Sequence, residues 1–151
     1  MAIHRRYYGQ LVIEIWDEGR CDHAGREKFH GRIVLPDGRT WSFSDLACHG
    51  GVSHAAENAV TFGSYYSSGN RGNDVPEYAP PREIADAIDA ECDYLPDYVD
   101  LGELGEMDDV EVIEEKVICE TRAAQRRFYA LCEKGWNEAQ RADRHRGRSV
   151  S

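Results

Sequence analysis

The sequence lacks the features by which membrane and secreted proteins are usually recognised. No apolar run approaches the roughly 20 residues that a membrane-spanning helix needs. Residues 1–8 are charged and contain no apolar stretch of the kind found in a secretory signal. The five cysteines are odd in number and widely spaced, whereas a secreted disulfide framework normally has an even and denser set. We therefore expect a cytoplasmic protein with no membrane span.

The sequence also lacks a motif that indicates a reaction, a cofactor or a metal. Zinc ligands usually occur as C-x₂₋₄-C or H-x₃₋₅-H pairs, and only His49 and His54 have such a spacing. The segment from Cys48 to His54 holds a thiol, two imidazoles and a serine near a strand-to-helix junction, where a thiol pKa can be lowered. It contains no nucleophile elbow of the G-x-S-x-G type. We predict no cofactor and no metal site, and an enzyme that uses this segment is kept as an alternative.

Basic residues are missing from the middle of the chain. The net charge is -10, and no lysine or arginine lies between Arg82 and Lys116, a stretch that contains 14 acids in 33 residues. Residues 51–120 contain 18 acids and three bases, whereas residues 121–151 contain three acids and eight bases. Carboxylates at this density repel one another unless they spread over a surface or meet a basic partner. The acid run is therefore the feature of the sequence that bears most directly on function.

Turn-forming and alternating residues predict that the chain begins with a small antiparallel sheet. Residues 40–46 alternate between polar and apolar side chains, and Pro36-Asp37-Gly38-Arg39 is a typical turn sequence that joins them to residues 29–35. We therefore expect a β-hairpin over 29–46, with Trp41 and Phe43 in the core. The segment 6–17 is rich in β-branched and aromatic residues and predicts a further strand.

Two short helices are expected after the sheet, so that the fold class is α+β. Ser53 has the chemistry of an N-cap for a first helix that starts at His54. Pro81 suits the first turn of a second helix, which we expect over 82–93. Residues 94–107 contain proline and glycine and predict a loop.

One long C-terminal helix completes the predicted fold. Asp108 and Glu111 resemble a capping box, and apolar residues after them recur in threes and fours, which predicts a helix of about 30 residues with a break near Gly135. We interpret residues 1–141 as a single α+β domain and residues 142–151 as a basic polar C-terminal tail.

The acid run predicts a surface that binds a basic partner. Spacings of three and four place several acids on the outward face of the second helix, and further acids continue through 94–107. Tyrosines, which are enriched at protein–protein interfaces, interleave with these acids. The predicted partner-binding residues are Glu83, Asp86, Asp89, Asp93, Asp97, Asp100, Glu103, Glu106, Tyr94 and Tyr98.

In size, acidity and lack of a catalytic motif, the chain is similar to small phage or plasmid inhibitors of host defence, namely DNA-mimicking anti-CRISPR and antirestriction proteins. The similarity is one of composition. It implies a non-catalytic inhibitor or adaptor that docks a carboxylate-rich surface on a basic, nucleic-acid-handling protein or nucleoprotein complex. The net charge of -10 further predicts that the chain itself does not bind nucleic acid directly.

Other functions remain compatible with the sequence. The same acids would suit an ordinary solvated surface. A nucleic-acid binder could use Arg122, Arg126, Arg127 and the Arg141–Arg148 tail, although the net charge of the remaining chain would repel phosphate. The long helix could also form the seam of a homodimer.

Overall fold

The computed structural model describes residues 3–65, 79–92 and 94–149, and within these ranges the chain forms six strands and four helices. The strands are β1 (His4–Tyr8), β2 (Leu11–Cys21), β3 (Glu27–Val34), β4 (Thr40–Cys48), β5 (Val110–Ile113) and β6 (Lys116–Cys119). The helices are α1 (Val52–Tyr65), α2 (Arg82–Ala90), α3 (Leu101–Gly105) and α4 (Arg122–Ser149). The predicted α+β class, with a long C-terminal helix, is confirmed.

The six strands form one antiparallel sheet in the order β4-β3-β2-β1-β6-β5. Consecutive strands β1 to β4 pair as neighbours, which is the simplest connection that short turns allow. Strands β5 and β6 follow three helices in the chain but join the sheet beside β1, where Tyr7 lies opposite Cys119. Residues from both halves of the chain therefore share one sheet.

The predicted hairpin over 29–46 is confirmed, and its register places the expected aromatic residues in the core. Ile33 lies opposite Trp41, and the turn is closed by a hydrogen bond from the Leu35 N–H to the carbonyl oxygen of Arg39, at 2.8 Å. Trp41 and Phe43 are both buried, as expected from the alternation of residues 40–46.

The two faces of the sheet support two separate apolar clusters. Alternation along β2 buries Leu11, Ile13 and Ile15 on one face, which α1 and α2 cover. On the opposite face, α3 and α4 pack near β6 around residues such as Val117 and Cys119. Helices therefore cover both faces of this part of the sheet. The acid run contains both α2 and α3, so its residues lie on both sides of the sheet.

The segment 6–17 forms two strands instead of the one that was expected. Gly9 and Gln10 turn the chain between β1 and β2, and Gly9 adopts a left-handed φ of 57°. Glycine is the residue that accepts this conformation most readily, because it has no Cβ. A Cβ at Gly9 would also approach the backbone oxygen of Glu91, which lies just after α2.

The predicted start of the long helix near Asp108 is corrected, because residues 110–119 form the β5–β6 hairpin. The segment is rich in β-branched residues, which lose side-chain freedom in a helix and pack well in a sheet. Glu114 and Glu115 make the turn with φ values of 51° and 64°, which are uncommon for residues other than glycine. The helical spacing of its apolar residues was therefore misleading.

Helix α4 begins after Thr121, whose hydroxyl oxygen accepts a hydrogen bond from the N–H of Ala124, at 3.0 Å. The expected break near Gly135 is also corrected, since the helix continues to Ser149. A Cβ at Gly135 would overlap the carbonyl oxygen of Tyr98, so this glycine allows close packing of the helix on the preceding segment. None of the helices in the described ranges combines the length and the apolar character needed to cross a membrane.

The remaining helix boundaries also differ in detail. Helix α1 starts at Val52, and Ser53 does not cap it, because the Ser53 hydroxyl accepts a hydrogen bond from Arg6 Nε at 2.9 Å. The predicted loop over 94–107 contains the short helix α3. Asp100 caps that helix by accepting hydrogen bonds from the backbone N–H groups of Gly102 and Glu103.

Candidate partner-binding surface

Helix α2 exposes a row of carboxylates on its outer face. Ala85 and Ile88 are buried and fix the inward side of the helix, which leaves Glu83, Asp86 and Asp89 exposed. We call these three residues the α2 acid face. The Oδ2 atom of Asp86 lies 3.7 Å from Arg82 Nε, one turn earlier in the helix. In the described part of the chain, neither Glu83 nor Asp89 forms an ion pair. The predicted site residue Asp93 lies outside the described residues.

The acids around α3 have closer basic neighbours. Glu103 accepts a hydrogen bond from Lys134 Nζ of α4 at 2.9 Å, and this bond raises the pKa of Lys134. Asp100 uses its carboxylate to cap α3, as described above. Asp97 and Glu106 are exposed. Half of the predicted acids in this segment therefore already take part in contacts within the protein.

One further acid of the same run is paired with α4. Asp109, which follows α3, forms an ion pair with Arg127. The hydrogen bond from Arg127 lowers the pKa of the Asp109 carboxyl below its usual value. The basic helix α4 begins seven residues after the last acid of the run, and the fold packs part of the two segments together. In the described part of the chain α4 forms no ion pair with the α2 acid face, and the glutamates of the β5–β6 hairpin, Glu111, Glu114 and Glu115, are likewise exposed.

The two predicted tyrosines are exposed, and the ring of each contacts one further side chain. Tyr94 is 57% exposed and has Lys116 Nζ 5.4 Å from the centre of its ring. Tyr98 is 38% exposed and packs edge-on against Trp136 of α4, with ring centres 5.5 Å apart. Trp136, which was not among the predicted site residues, is itself half exposed. A tryptophan in the polar second half of α4 was the signal that could have identified it.

A buried ion pair was not predicted from the sequence. Glu57 of α1 accepts a hydrogen bond from Lys116 Nζ at 3.1 Å and another from the Thr61 hydroxyl at 2.6 Å. Both charged side chains are less than a tenth exposed. Glu57 lies among the buried alanines of α1. A single acid within an apolar helix face is the sequence signal from which a buried ion pair could have been predicted. The pair fixes α1 on the sheet and is not accessible to a large ligand.

The structure does not assemble the Cys48–His54 segment into a nucleophile and a base. Cys48 is buried in the apolar core, and its sulfur accepts a weak hydrogen bond from the Gly50 N–H at 3.4 Å. No hydrogen bond joins its thiol to His49 or His54 in the described ranges. Elsewhere, burial raises the pKa of the Cys119 thiol to about 11, which keeps it protonated at neutral pH. The described residues also contain no group of three or more His, Cys, Asp or Glu that could hold a metal ion.

The bases at the start of α4 have mixed surroundings. The Arg122 guanidinium lies 4.6 Å from the centre of the Tyr7 ring and also donates a hydrogen bond to Gln125. Arg127 is paired with Asp109, whereas Arg126 is exposed. In the distal part of the helix, Arg141 and Arg144 are exposed. Of the bases named for a nucleic-acid site, two of the three at the start of α4, Arg122 and Arg127, are therefore already engaged within the molecule.

Comparisons with models of protein families, with curated proteins and with solved structures give no match for this chain. A function must therefore be proposed from the chemistry of the exposed residues. Two features are available for this purpose, the α2 acid face and the exposed aromatic residues Tyr94, Tyr98 and Trp136.

Proposed function

We propose that the protein is a non-catalytic interaction protein that docks the α2 acid face on a basic partner. The observation that carries this proposal is the contrast in pairing within the acid run. Glu103 and Asp109 have basic partners on α4, whereas Glu83 and Asp89 have no ion pair in the described part of the chain. Exposed carboxylates held on one helix face can meet a cationic surface without first breaking internal contacts.

The spacing of these acids favours a partner that handles nucleic acid. Successive members of the α2 acid face are three residues apart, which corresponds to about 4.5 Å along the helix axis. Phosphates on one DNA strand are about 3.4 Å apart along the duplex axis, a distance of the same order. A groove that binds phosphates would therefore offer cations at a density that suits this helix. If docking prevents the partner from binding nucleic acid, the protein is an inhibitor. If the partner still binds nucleic acid in the complex, the protein is an adaptor.

The proposal is tested by affinity capture from a lysate of the source cells at low and high salt. Three versions of the tagged protein are compared: the wild type, the α2 variant Glu83→Lys/Asp86→Lys/Asp89→Lys, and the hairpin variant Glu111→Lys/Glu114→Lys/Glu115→Lys. The hairpin variant is a matched control, because it changes the net charge equally at exposed acids outside α2. We expect one basic protein or complex to bind the wild type and the hairpin variant at low salt and to be lost with the α2 variant.

A competition experiment then separates an inhibitor from an adaptor. Duplex DNA is added to the purified complex of the protein with its captured partner. We expect DNA to release the protein, because both ligands would occupy the same cationic surface. A ternary complex with DNA would indicate an adaptor. Capture that is the same for all three versions, or that is insensitive to salt, would contradict the proposal.

An enzyme that works through the Cys48–His54 segment is the alternative, and thiol labelling tests it. Cys21 is exposed whereas Cys48 is buried, so iodoacetamide near neutral pH should label Cys21 first. Mass spectrometry of tryptic peptides gives the order of labelling. Cys48 labelling that is faster than that of Cys21 at pH 6–7 would instead indicate an activated thiolate and would favour the enzyme.

A further inference from the structure

Strand β4 lies at one edge of the sheet, and in the described part of the chain only one side of its backbone is paired. Just before the strand, the Leu35 N–H donates a hydrogen bond to the Arg39 carbonyl oxygen, and hydrogen-bonded residues alternate along an antiparallel pair. Counted from Arg39, every second residue of β4 therefore bonds to β3. The N–H and C=O groups of Thr40 and Ser42 point outward, and no other backbone group of the described residues bonds to them.

The two edges of the sheet differ in how they are protected against pairing with another chain. Proteins commonly protect an edge strand by making it short or by placing charged side chains on it. Strand β5, at the opposite edge, has only four residues, which include Glu111, and Glu114 and Glu115 form the turn that follows it. Residues 40–44 of β4 contain no charged side chain, although the net charge of the chain is -10. The β4 edge therefore lacks the protection that the β5 edge has.

Residues 40–44 are complementary to a second copy of themselves in the antiparallel direction. Thr40, Ser42 and Ser44 are exposed on one face of the sheet, whereas Trp41 and Phe43 are buried on the other. With Ser42 opposite Ser42 of a second copy, Thr40 comes opposite Ser44. In the same register, Trp41 comes opposite Phe43. Hydroxyl groups then meet hydroxyl groups and aromatic side chains meet aromatic side chains, and both kinds of cross-strand pair stabilise antiparallel sheets.

The charges that flank this segment favour the antiparallel direction. Arg39 precedes the segment, and Asp45 follows it at a β-bulge, where Asp45 adopts a φ of 54°. Their side chains are 47% and 62% exposed, and each also contacts an opposite charge in its own chain. Antiparallel pairing brings Arg39 of one copy to the end where Asp45 of the other copy lies. Parallel pairing in register would instead bring like charges together, which is unfavourable.

We infer that two copies of the protein pair through β4 in the antiparallel direction, with a two-fold axis beside Ser42, and form a homodimer with one continuous sheet. A two-fold interface requires a surface that is complementary to itself, and residues 39–45 meet this requirement. The dimer goes beyond the proposed function and does not depend on it. It presents two α2 acid faces, so a partner with two basic sites would bind it more tightly than it binds a monomer.

The dimer is tested on the purified protein by sedimentation equilibrium. Ser42→Lys places two ammonium groups opposite each other at the axis and should weaken dimerisation at least about tenfold. The Ser42 side chain is exposed, so a thermal melt should show that the variant folds. Val112→Lys is the matched control at the exposed β5 edge, and its dimerisation should stay within about twofold of the wild type. A monomeric wild type, wild-type dimerisation of Ser42→Lys, or equal weakening by both variants would overturn the inference.

Cysteine cross-linking tests the register and does not depend on the lysine variant. The exposed Cys21 is first removed by Cys21→Ser, and oxidised glutathione serves as the oxidant. Opposite residues of a hydrogen-bonded pair have Cα atoms about 5.5 Å apart, a distance that a disulfide spans, so Ser42→Cys should give a covalent dimer. Thr40→Cys is the control, because the two Thr40 positions would be at least about 13 Å apart. No covalent dimer from Ser42→Cys, or equal cross-linking of both variants, would overturn the inference.

The outcomes also separate the dimer from the proposed function. Weakened dimerisation of Ser42→Lys with retained capture of the basic partner would support the dimer and leave the α2 acid face as the docking surface. A wild type that dimerises through β4 but captures no basic partner would support the dimer and contradict the proposed function. A monomeric wild type whose Ser42→Lys variant loses the partner would overturn the dimer, because β4 would then pair with a strand of that partner.

Discussion

The carboxylates on the outer face of α2 and those that face α4 belong to the same run of sequence, but they have different neighbours. Glu103 and Asp109 form surface ion pairs with Lys134 and Arg127 of α4. The α2 acid face meets solvent, with Arg82 as its nearby cation among the described residues. The number of acids in a stretch of sequence therefore does not give the net charge of the surface that the stretch forms. Only the acids that the basic helix does not reach are available to a partner.

A third location extends this comparison into the core. Glu57 and Lys116 are paired where water is largely excluded, so each depends on the other for compensation of its charge. The three locations should respond differently when a charge is removed. Loss of stability should be large for the buried pair, small for the acids beside α4, and negligible for the α2 acid face.

The largest effect is expected for Lys116→Met. This change leaves the Glu57 carboxylate buried without its cation, and such a loss typically destabilises a protein by about 3–5 kcal/mol. Urea denaturation gives the free energy of unfolding. The double variant Glu57→Met/Lys116→Met is the control and should recover most of the loss, because it removes both charges. A single variant as stable as the wild type would show that the pair is not required.

A smaller effect is expected for Gly135→Ala, which tests the contact that holds the acid segment against α4. Alanine in an open helix is more favourable than glycine by about 1 kcal/mol. Here the added Cβ would overlap the Tyr98 carbonyl oxygen, so we expect a loss of about 1–3 kcal/mol instead. The control is Gly105→Ala, where a Cβ meets open space. Stabilisation by Gly135→Ala would show that α4 does not pack on this segment as described.

A still smaller, pH-dependent effect is expected for Arg127→Gln. The pKa of Asp109 is lowered by Arg127, so the pair contributes stability above the unfolded pKa of about 3.9 and loses it as pH falls through the folded value. The variant should melt slightly below the wild type at neutral pH, and the difference should disappear in strong acid. Melting temperatures across this pH range measure it. A difference that persists in acid would mean that Arg127 acts through packing instead of charge.

The sheet core was predictable because its signals are local and agree with one another. Residues 40–44 alternate strictly, and the Pro-Asp-Gly turn before them determines which strand they pair with. The start and the inward face of α2 were predictable for the same reason, since Pro81 and the spacing of Ala85 and Ile88 agree. Local patterns that point to one structure are rarely overridden by packing.

The β5–β6 hairpin was not predictable from its spacing, because Val110, Ile113 and Val117 fit a helix as well as a strand. Its turn is made by two glutamates in left-handed conformations, without the usual glycine or asparagine signal. The strands are stabilised by pairing with β1, which comes from the other end of the sequence. Pairing between strands that lie so far apart in the sequence leaves no local sequence pattern from which it could be predicted.

The candidate site was predictable in composition but not in geometry. The exposure of Glu83, Asp86 and Asp89 follows from helical spacing alone. The pairing of Glu103 and Asp109 does not, because it depends on which side of the molecule α4 crosses. The apolar cluster beside α4 likewise combines residues of β6 and α4, such as Val117 and Leu131, which only the folded chain brings together.

The most direct test of the central claim is the affinity of the captured partner for the α2 variant, with the hairpin variant as control, measured by calorimetry at two salt concentrations. Exposed charges contribute little to stability, so both variants should fold with nearly unchanged melting temperatures. The α2 variant should lose at least about tenfold in affinity at low salt, and high salt should narrow the difference. Equal weakening by both variants would show that net charge acts without a defined face. Wild-type affinity in a folded α2 variant would contradict the claim that this face docks the partner.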